Sequence, residues 1–176
     1  MDAELSMIMT NFAQLREGSF CFNTFVGTGS VLLDCALRGA RCLGADIDIR
    51  VLRGRSADKN VSSNFRMFGL PRTELIRSDN ALYLRHYRPH NTHYDAIVCD
   101  PPHRIWAGAR KSGSRMDVSR PVPDEHRHDH VAQTRPYAVS EVMADLLDVA
   151  VRTLVPGGRL VYVIPSLRDF DASIEA

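Results

Sequence analysis

Residues 19–46 read S-F-C-F-N-T-F-V-G-T-G-S-V-L-L-D-C-A-L-R-G-A-R-C-L-G-A-D. An apolar run, Ser19 to Phe22, meets a turn at Gly27-Thr28-Gly29. Ser30 to Arg38 then has helical spacing and stops at Gly39, and a second apolar run, Arg41 to Ala45, reaches Asp46. Strand, glycine turn, helix and strand in this order make a βαβ unit, in which the crossover helix forces the two strands to lie parallel. The fold class is therefore α/β, and the flanking sequence extends it.

Toward the N-terminus, Leu5, Ile8, Met9, Phe12 and Leu15 recur at helical spacing and predict an amphipathic helix closing near Gly18. Toward the C-terminus, a helix is expected over 49–68, closed before Gly69 and Pro71. Glu74 to Arg77 makes a third strand ending at Ser78-Asp79-Asn80, and Tyr94 to Cys99 makes a fourth. From Pro101 to Val139 there is no periodicity, and the segment is expected to be a long substrate-facing loop over about 101–139. Ser140 can cap a helix with Val142, Leu146, Val149 and Thr153 on one face, and Pro156-Gly157-Gly158 stops it before a fifth strand, Arg159 to Ile164. Right-handed crossovers predict a doubly wound parallel sheet in the order 3-2-1-4-5, with Gly27 and Asp100 side by side where the order reverses.

At 176 residues the chain fits one domain, residues 1–176, and its net charge of +1 carries no global signature of a polyanion binder. A local patch is present after the fourth strand, where Arg104, Arg110, Lys111, Arg115 and Arg120 face the single acid Asp117. Cys21, Cys35, Cys42 and Cys99 lie in or beside apolar segments without C-x-x-C spacing, and read as buried free thiols of a reducing compartment. With neither a leader pattern nor a run long enough to span a bilayer, the protein is expected to be cytoplasmic or nuclear and free of membrane.

In an open parallel sheet, ligands bind outside the carboxyl ends of the strands. The unusual polar residues all fall there: Asn23 through Ser30 after the first strand, Asp46 after the second, Asp79 after the third and Asp100-Pro101-Pro102 after the fourth. A dinucleotide fingerprint needs a third glycine at position 32, where Leu32 stands, so hydride transfer is disfavoured. Asp46 is placed to accept hydrogen bonds from a ribose diol. Two prolines after Asp100 end the strand and fix the direction of the backbone carbonyls that follow it.

Phe25 to Ser30, Gly44 to Asp48 and Asp100-Pro101-Pro102 resemble the S-adenosylmethionine-dependent amino-methyltransferases, which have the Rossmann-like class I fold. The opening Met1 to Met9 and the run Ala107 to Gly113 narrow the resemblance to the tRNA guanosine N2-methyltransferases that modify position ten. The resemblance implies transfer of a methyl group from S-adenosylmethionine to the exocyclic N2 amine of a guanosine in tRNA. It implies that Gly27 and Gly29 cradle the amino-acid end of the cofactor, that Asp46 holds the ribose hydroxyls and that Asp79 contacts the adenine. Asn23, Phe25 and Asn80 complete the cofactor-binding set. Asp100, Pro101, Pro102 and His103 form the catalytic set: the Asp100 carboxylate and the Pro101 carbonyl take the two N–H groups of the amine, and His103 stacks on the base. His103 stands where the family usually has Tyr, and Asn23 where it usually has an acid.

Members of this family carry an N-terminal tRNA-binding THUMP domain and two further sheet strands, so the chain is expected to be a partial catalytic domain. They also work with a small zinc-binding activator protein, which becomes an expected partner beside tRNA. Two other readings stay open: an amino-methyltransferase acting on adenine or cytosine in DNA or another RNA, and a degenerate, non-catalytic cofactor- or RNA-binding module. His126, His128 and His130 alternate, which is not the usual paired-ligand frame; they read as a solvated loop, and no metal is expected.

Overall fold

The computed structural model of the chain describes residues 1–56, 58–85, 93–102, 109–113, 125 and 133–164. Five helices alternate with seven strands among them. The helices are α1 (Ala3–Ala13), α2 (Ser30–Leu37), α3 (Ile49–Arg53), α4 (Val61–Met67) and α5 (Val139–Thr153). The strands are β1 (Phe20–Asn23), β2 (Arg41–Asp46), β3 (Glu74–Arg77), β4 (Tyr94–Cys99), β5 (Arg110–Ser112), β6 (Thr134–Pro136) and β7 (Leu154–Tyr162). One five-stranded sheet runs β3-β2-β1-β4-β7 with every neighbouring pair parallel. This is the expected 3-2-1-4-5 order, with β7 as its fifth strand because β5 and β6 intervene in the chain.

Successive strand residues point to opposite faces, and both faces are covered. In β1, Cys21 packs with Met9, Ala13, Val31 and Cys35 beneath α1 and α2, whereas Phe22 packs with Leu146, Val149 and Ala150 of α5. In β4 the same alternation sends Ala96 and Val98 to the first layer and Ile97 and Cys99 to the second. Within the first layer Cys21 Sγ lies 3.5 Å from Cys35 Sγ, and all four cysteines are free; three are fully buried and Cys42 is half-buried. Among the described residues, no helix is long and apolar enough to cross a membrane.

Four local expectations are corrected. The stripe Leu5, Ile8, Phe12 is exposed on α1; the buried face carries Ser6, Met9, Thr10 and Ala13. Thr10 can sit there because its hydroxyl donates to the Ser6 carbonyl at 2.8 Å. The helix expected over 49–68 is two: Gly54, at φ +72°, ends α3, and Asn60 and Ser63 cap each other reciprocally to start α4. The last strand begins earlier than expected, at Leu154. Its pairing with β4 slips between Tyr94 and Ala96, so that Pro156-Gly157-Gly158 lies inside β7 rather than before it. The segment 101–139 is not wholly irregular, since β5 and β6 form an antiparallel pair joining Arg110 to Pro136 and Ser112 to Thr134. The α5 face was as expected, with Val142, Leu146, Val149 and Thr153 all buried, although the helix starts at Val139 and the Glu141 carboxylate, not Ser140, accepts from the first free amide.

Candidate active site

At the carboxyl ends of β1, β2, β3 and β4 lies a cavity of about 790 Å³. It is built from the strand tips inward. Asn23, the last residue of β1, is buried, and its Oδ1 accepts from the Phe25 amide at 2.8 Å, turning the chain sharply into the glycine loop. The Val26 amide donates to the Ala45 carbonyl at 3.0 Å, which ties that loop to β2. Gly27 and Gly29 have φ values of +52° and +83°, a region glycine enters without strain. A Cβ on Gly29 would come within 2.7 Å of Val61, so its absence lets α4 close against the loop; at Gly27 the space is open and faces the cavity.

Asp46 ends β2 and joins two turns: Oδ2 accepts from the Gly27 amide at 3.1 Å and Oδ1 from the Asp48 amide at 2.9 Å. Burial raises its pKa, and the amides that it accepts from oppose that rise. Asp48 beside it caps α3 and pairs with Arg50 at 2.7 Å; that guanidinium lowers the Asp48 pKa. Asp79 follows β3, with one oxygen accepting from Ala81 at 2.9 Å and the other from the Ser112 amide of β5. The carboxylate for which the resemblance implies an adenine contact therefore also fastens the β5–β6 hairpin to the cavity.

Asp100 and Pro102 line the same cavity, and Pro101 between them is buried. Burial pushes the neighbouring Cys99 thiol up to about 12, and the Asp100 charge adds to the rise. The structure thus brings Phe25, Gly27, Asp46, Asp79, Asn80, Asp100 and Pro102 onto one wall, with Asn23 and Gly29 shaping the loop behind it. His103 lies outside the described residues, as do His126, His128 and His130. So do Arg104, Arg115 and Arg120 of the basic patch; Arg110 and Lys111 are in β5.

The hairpin completes the cavity wall with Ala109 and Arg110, which the sequence placed in the run after Asp100, and with Thr134 and Tyr137, which it did not flag. Tyr137 is buried with Ala109 and Val142 against Phe25 and Ala81. Its hydroxyl donates to Asp145, and burial together with that carboxylate raises its pKa far above the ordinary value. Lys111 Nζ sits 5.0 Å over the Tyr137 ring and pairs with Glu141 at 2.8 Å. Tyr137→Phe is expected to lower stability by about 1 kcal/mol, the net worth of a buried hydrogen bond. Urea unfolding would measure it, and an unchanged midpoint would show that the hydroxyl does not fasten the hairpin.

Among the described residues, two buried polar atoms in the wall have no hydrogen-bond partner: Thr24 Oγ1 and Asn80 Nδ2. Thr24 lies beside the Cys99 thiol and Asn80 beside the Tyr137 hydroxyl, yet neither reaches bonding geometry. Orphaned donors at this depth are expensive unless a ligand meets them. An open glycine cradle, a carboxylate at the tip of β2 and a free amide donor beside Asp79 fit a molecule with an amino-acid end, a ribose and a purine.

With this geometry in place, the relatives are informative. The chain is 42% identical over 173 residues to the tRNA (guanine(10)-N(2))-methyltransferase of Dictyostelium discoideum, covering 97% of this chain and 33% of that protein. It is 38% identical to the mouse enzyme of that name over 94% of this chain and 38% of the mouse protein. For the Saccharomyces cerevisiae enzyme the figures are 33% identity, 99% and 42%. The chain is a homologue of part of the tRNA (guanine(10)-N(2))-methyltransferases. It spans about a third to two-fifths of the length of these relatives. Among solved structures, the fold matches a SAM-dependent methyltransferase from Agrobacterium tumefaciens at a TM-score of 0.61 and 19% identity, over 93% of this chain and 45% of that one. It also matches precorrin-8W decarboxylase from Methanobacterium thermoautotrophicum at 0.56 and 16%, over 95% and 65%. The architecture is that of the Rossmann-like class I methyltransferases. No protein-family model matches the chain.

Proposed function

We propose that this chain forms the catalytic fold that methylates the exocyclic N2 amine of a guanosine in tRNA, with S-adenosylmethionine as donor. The observation that carries the reading is the opening of the Asp100-Pro101-Pro102 strand tip into the same cavity as the glycine loop and Asp46, in a homologue of guanine N2-methyltransferases. When bound, the donor supplies an electrophilic methyl on a sulfonium, chemistry that needs no protein nucleophile. Gly27 and its neighbours would hold the amino-acid end, Asp46 the ribose hydroxyls, and Asp79 with Asn80 the purine.

The acceptor amine is a poor nucleophile because its lone pair is delocalised into the base. Asp100 and the Pro101 carbonyl would accept its two N–H groups, shift the nitrogen toward tetrahedral geometry and aim the lone pair into the cavity. As the nitrogen gains positive charge, the Asp100 carboxylate stabilises it and holds the proton that departs. His103 would stack on the base, and the activator protein would be a partner beside tRNA; both rest on the resemblance alone.

Mass mapping of tRNA after incubation with isotopically labelled donor tests the reading. Label on guanosine N2 is expected. Label on adenine or cytosine would move the acceptor to another base, and binding of the donor without transfer would make the chain a cofactor-binding module. Asp46→Ala is expected to weaken S-adenosylmethionine binding by about 1–3 kcal/mol, as for removal of a charged acceptor. Since burial raises the Asp46 pKa, protonation should weaken binding at a higher pH than an exposed Asp would. Calorimetry that finds parental affinity in the variant would remove Asp46 from the ribose.

A further inference from the structure

S-adenosylmethionine carries one anionic group, the carboxylate of its amino-acid end, and the open loop at Gly27 is the part of the cavity fitted to it. Arg110 also lines the cavity, on the hairpin that Asp79 fastens through the Ser112 amide. That part of the wall is fitted to the purine, which is uncharged. The donor therefore brings the Arg110 guanidinium no anion, and among the described residues no carboxylate pairs with it. Arg50, on the same wall, is by contrast paired with Asp48 at 2.7 Å.

Arg110 is exposed, yet it is aimed. Its Nε donates to Thr134 Oγ1 at 2.6 Å and its Nη2 to the Thr134 carbonyl at 2.5 Å. The hairpin around it is braced by Asp79, by Lys111 on Glu141 of α5 and by the Tyr137 amide, which donates to the Ala109 carbonyl at 2.8 Å. Thr134 takes one edge of the guanidinium. The edge between Nη1 and Nη2 faces no acceptor among the described residues, and its paired donors have the spacing of two phosphate oxygens. A base of a folded RNA reaches Asp100 only by leaving its stack and entering the cavity first, so that its sugar and flanking phosphates stay at the mouth. An exposed guanidinium on the cavity wall meets those phosphates; reading the base itself would need a buried one.

We propose that Arg110, aimed by Thr134, grips a phosphate flanking the acceptor guanosine and so holds the extruded nucleotide while its amine lies at Asp100. The inference deepens the tRNA reading above and rests on it. Arg110 is then a substrate-binding residue and Thr134 a positioning residue that acts through it. A contact of this kind fixes register without reading sequence, which leaves the choice of base to the groups around Asp100.

Neutralising one phosphate in the RNA tests the contact without altering the protein. Labelled tRNA with a methylphosphonate on either side of the guanosine at position ten, the position in the relatives' names, would be titrated by fluorescence anisotropy at several salt concentrations. One of the two substitutions is expected to weaken binding to the parent about tenfold, as loss of a charge-assisted hydrogen bond does. Arg110→Gln should weaken binding of unmodified tRNA by a similar factor and flatten the salt dependence by about one ion. Combined, the two should lose no more than either alone, because they remove the same contact. Arg110→Lys keeps the charge without the fork and should fall between. Thr134→Val should lose part of the affinity and Thr134→Ser regain it, which a merely structural role in the hairpin would not produce. Arg41→Gln removes the same charge from the exposed amino end of β2 and should stay close to parental. Parental affinity in Arg110→Gln, additive losses with both methylphosphonates, an equal loss in Arg41→Gln, or a parent that does not bind tRNA would each overturn the proposal. Parental affinity in Thr134→Val would remove Thr134 from it. Failure of the catalytic reading looks different: the non-additive loss is found, but no guanosine is methylated.

Discussion

Asp100→Ala is expected to lower the single-turnover rate of methyl transfer to tRNA at least about 10²–10³-fold, the usual consequence of removing a preorganised group from developing charge. Affinity for S-adenosylmethionine should hardly change, because Asp100 lies at the tip of β4 while the groups fitted to the cofactor come from the glycine loop, β2 and the segment after β3. Asp100→Asn keeps an acceptor oxygen without the charge and should fall between parent and Ala. The comparison separates charge stabilisation from simple positioning. A parental rate in Asp100→Ala would reduce Asp100 to a strand cap and end the proposed mechanism. A parallel loss of cofactor affinity would place its role in binding.

The largest expected effect on folding is at Gly44, in the middle of β2. A Cβ there would meet Val26 at 2.3 Å, Leu32 at 2.7 Å and Leu75 at 2.9 Å. These belong to the glycine loop, α2 and β3, which all close on β2 at this point, and none can retreat without disturbing its own packing in the same apolar cluster. Gly44→Val should destabilise by about 3 kcal/mol, at the upper end of ordinary overpacking. For a chain of this length, that is a fall of roughly 6–12 °C in Tm. Because Val26 is anchored to Ala45 and leads into Gly27, the surviving folded protein should also bind the cofactor less well. A thermal melt with an unchanged midpoint would show that the β2–loop contact is looser than drawn.

The sheet order was legible because each of its strands is a short apolar run ending in a polar residue, and parallel crossovers leave few ways to arrange such runs. The strand-tip residues Asp46, Asp79 and Asp100 were legible for the same reason: topology, not local pattern, gathers them. What stayed hidden depended on contacts distant in sequence. The inward face of α1 carries Ser6 and Thr10, so hydrophobic spacing selected Leu5, Ile8 and Phe12, which face outward. The break at Gly54 is masked by Leu52, Val61 and Phe65, which share one apolar cluster across two separate helices. Strands of three residues such as β5 and β6 are too short to show a period. Their hairpin is held by Asp79, 33 residues before Ser112, and by Tyr137 on Asp145. Tyr137 therefore could not be read as a site residue, although it closes the cavity wall.

The shortness of β3 has a consequence for how the molecule tolerates crowding. An outer strand offers unpaired amides and carbonyls to any other chain, and proteins escape runaway sheet growth by keeping such strands brief and charged. Here the outer strand has four residues, with exposed Glu74 and Arg77 at its ends and Pro71-Arg72 just before it. A second chain adding to this side would lose most of the ladder and would have to bury a guanidinium or a carboxylate. The charge that gathers along this edge thus protects the solubility of the folded protein, and replacing Arg72 and Arg77 with β-branched apolar residues would turn a quiet border into a seed for aggregation.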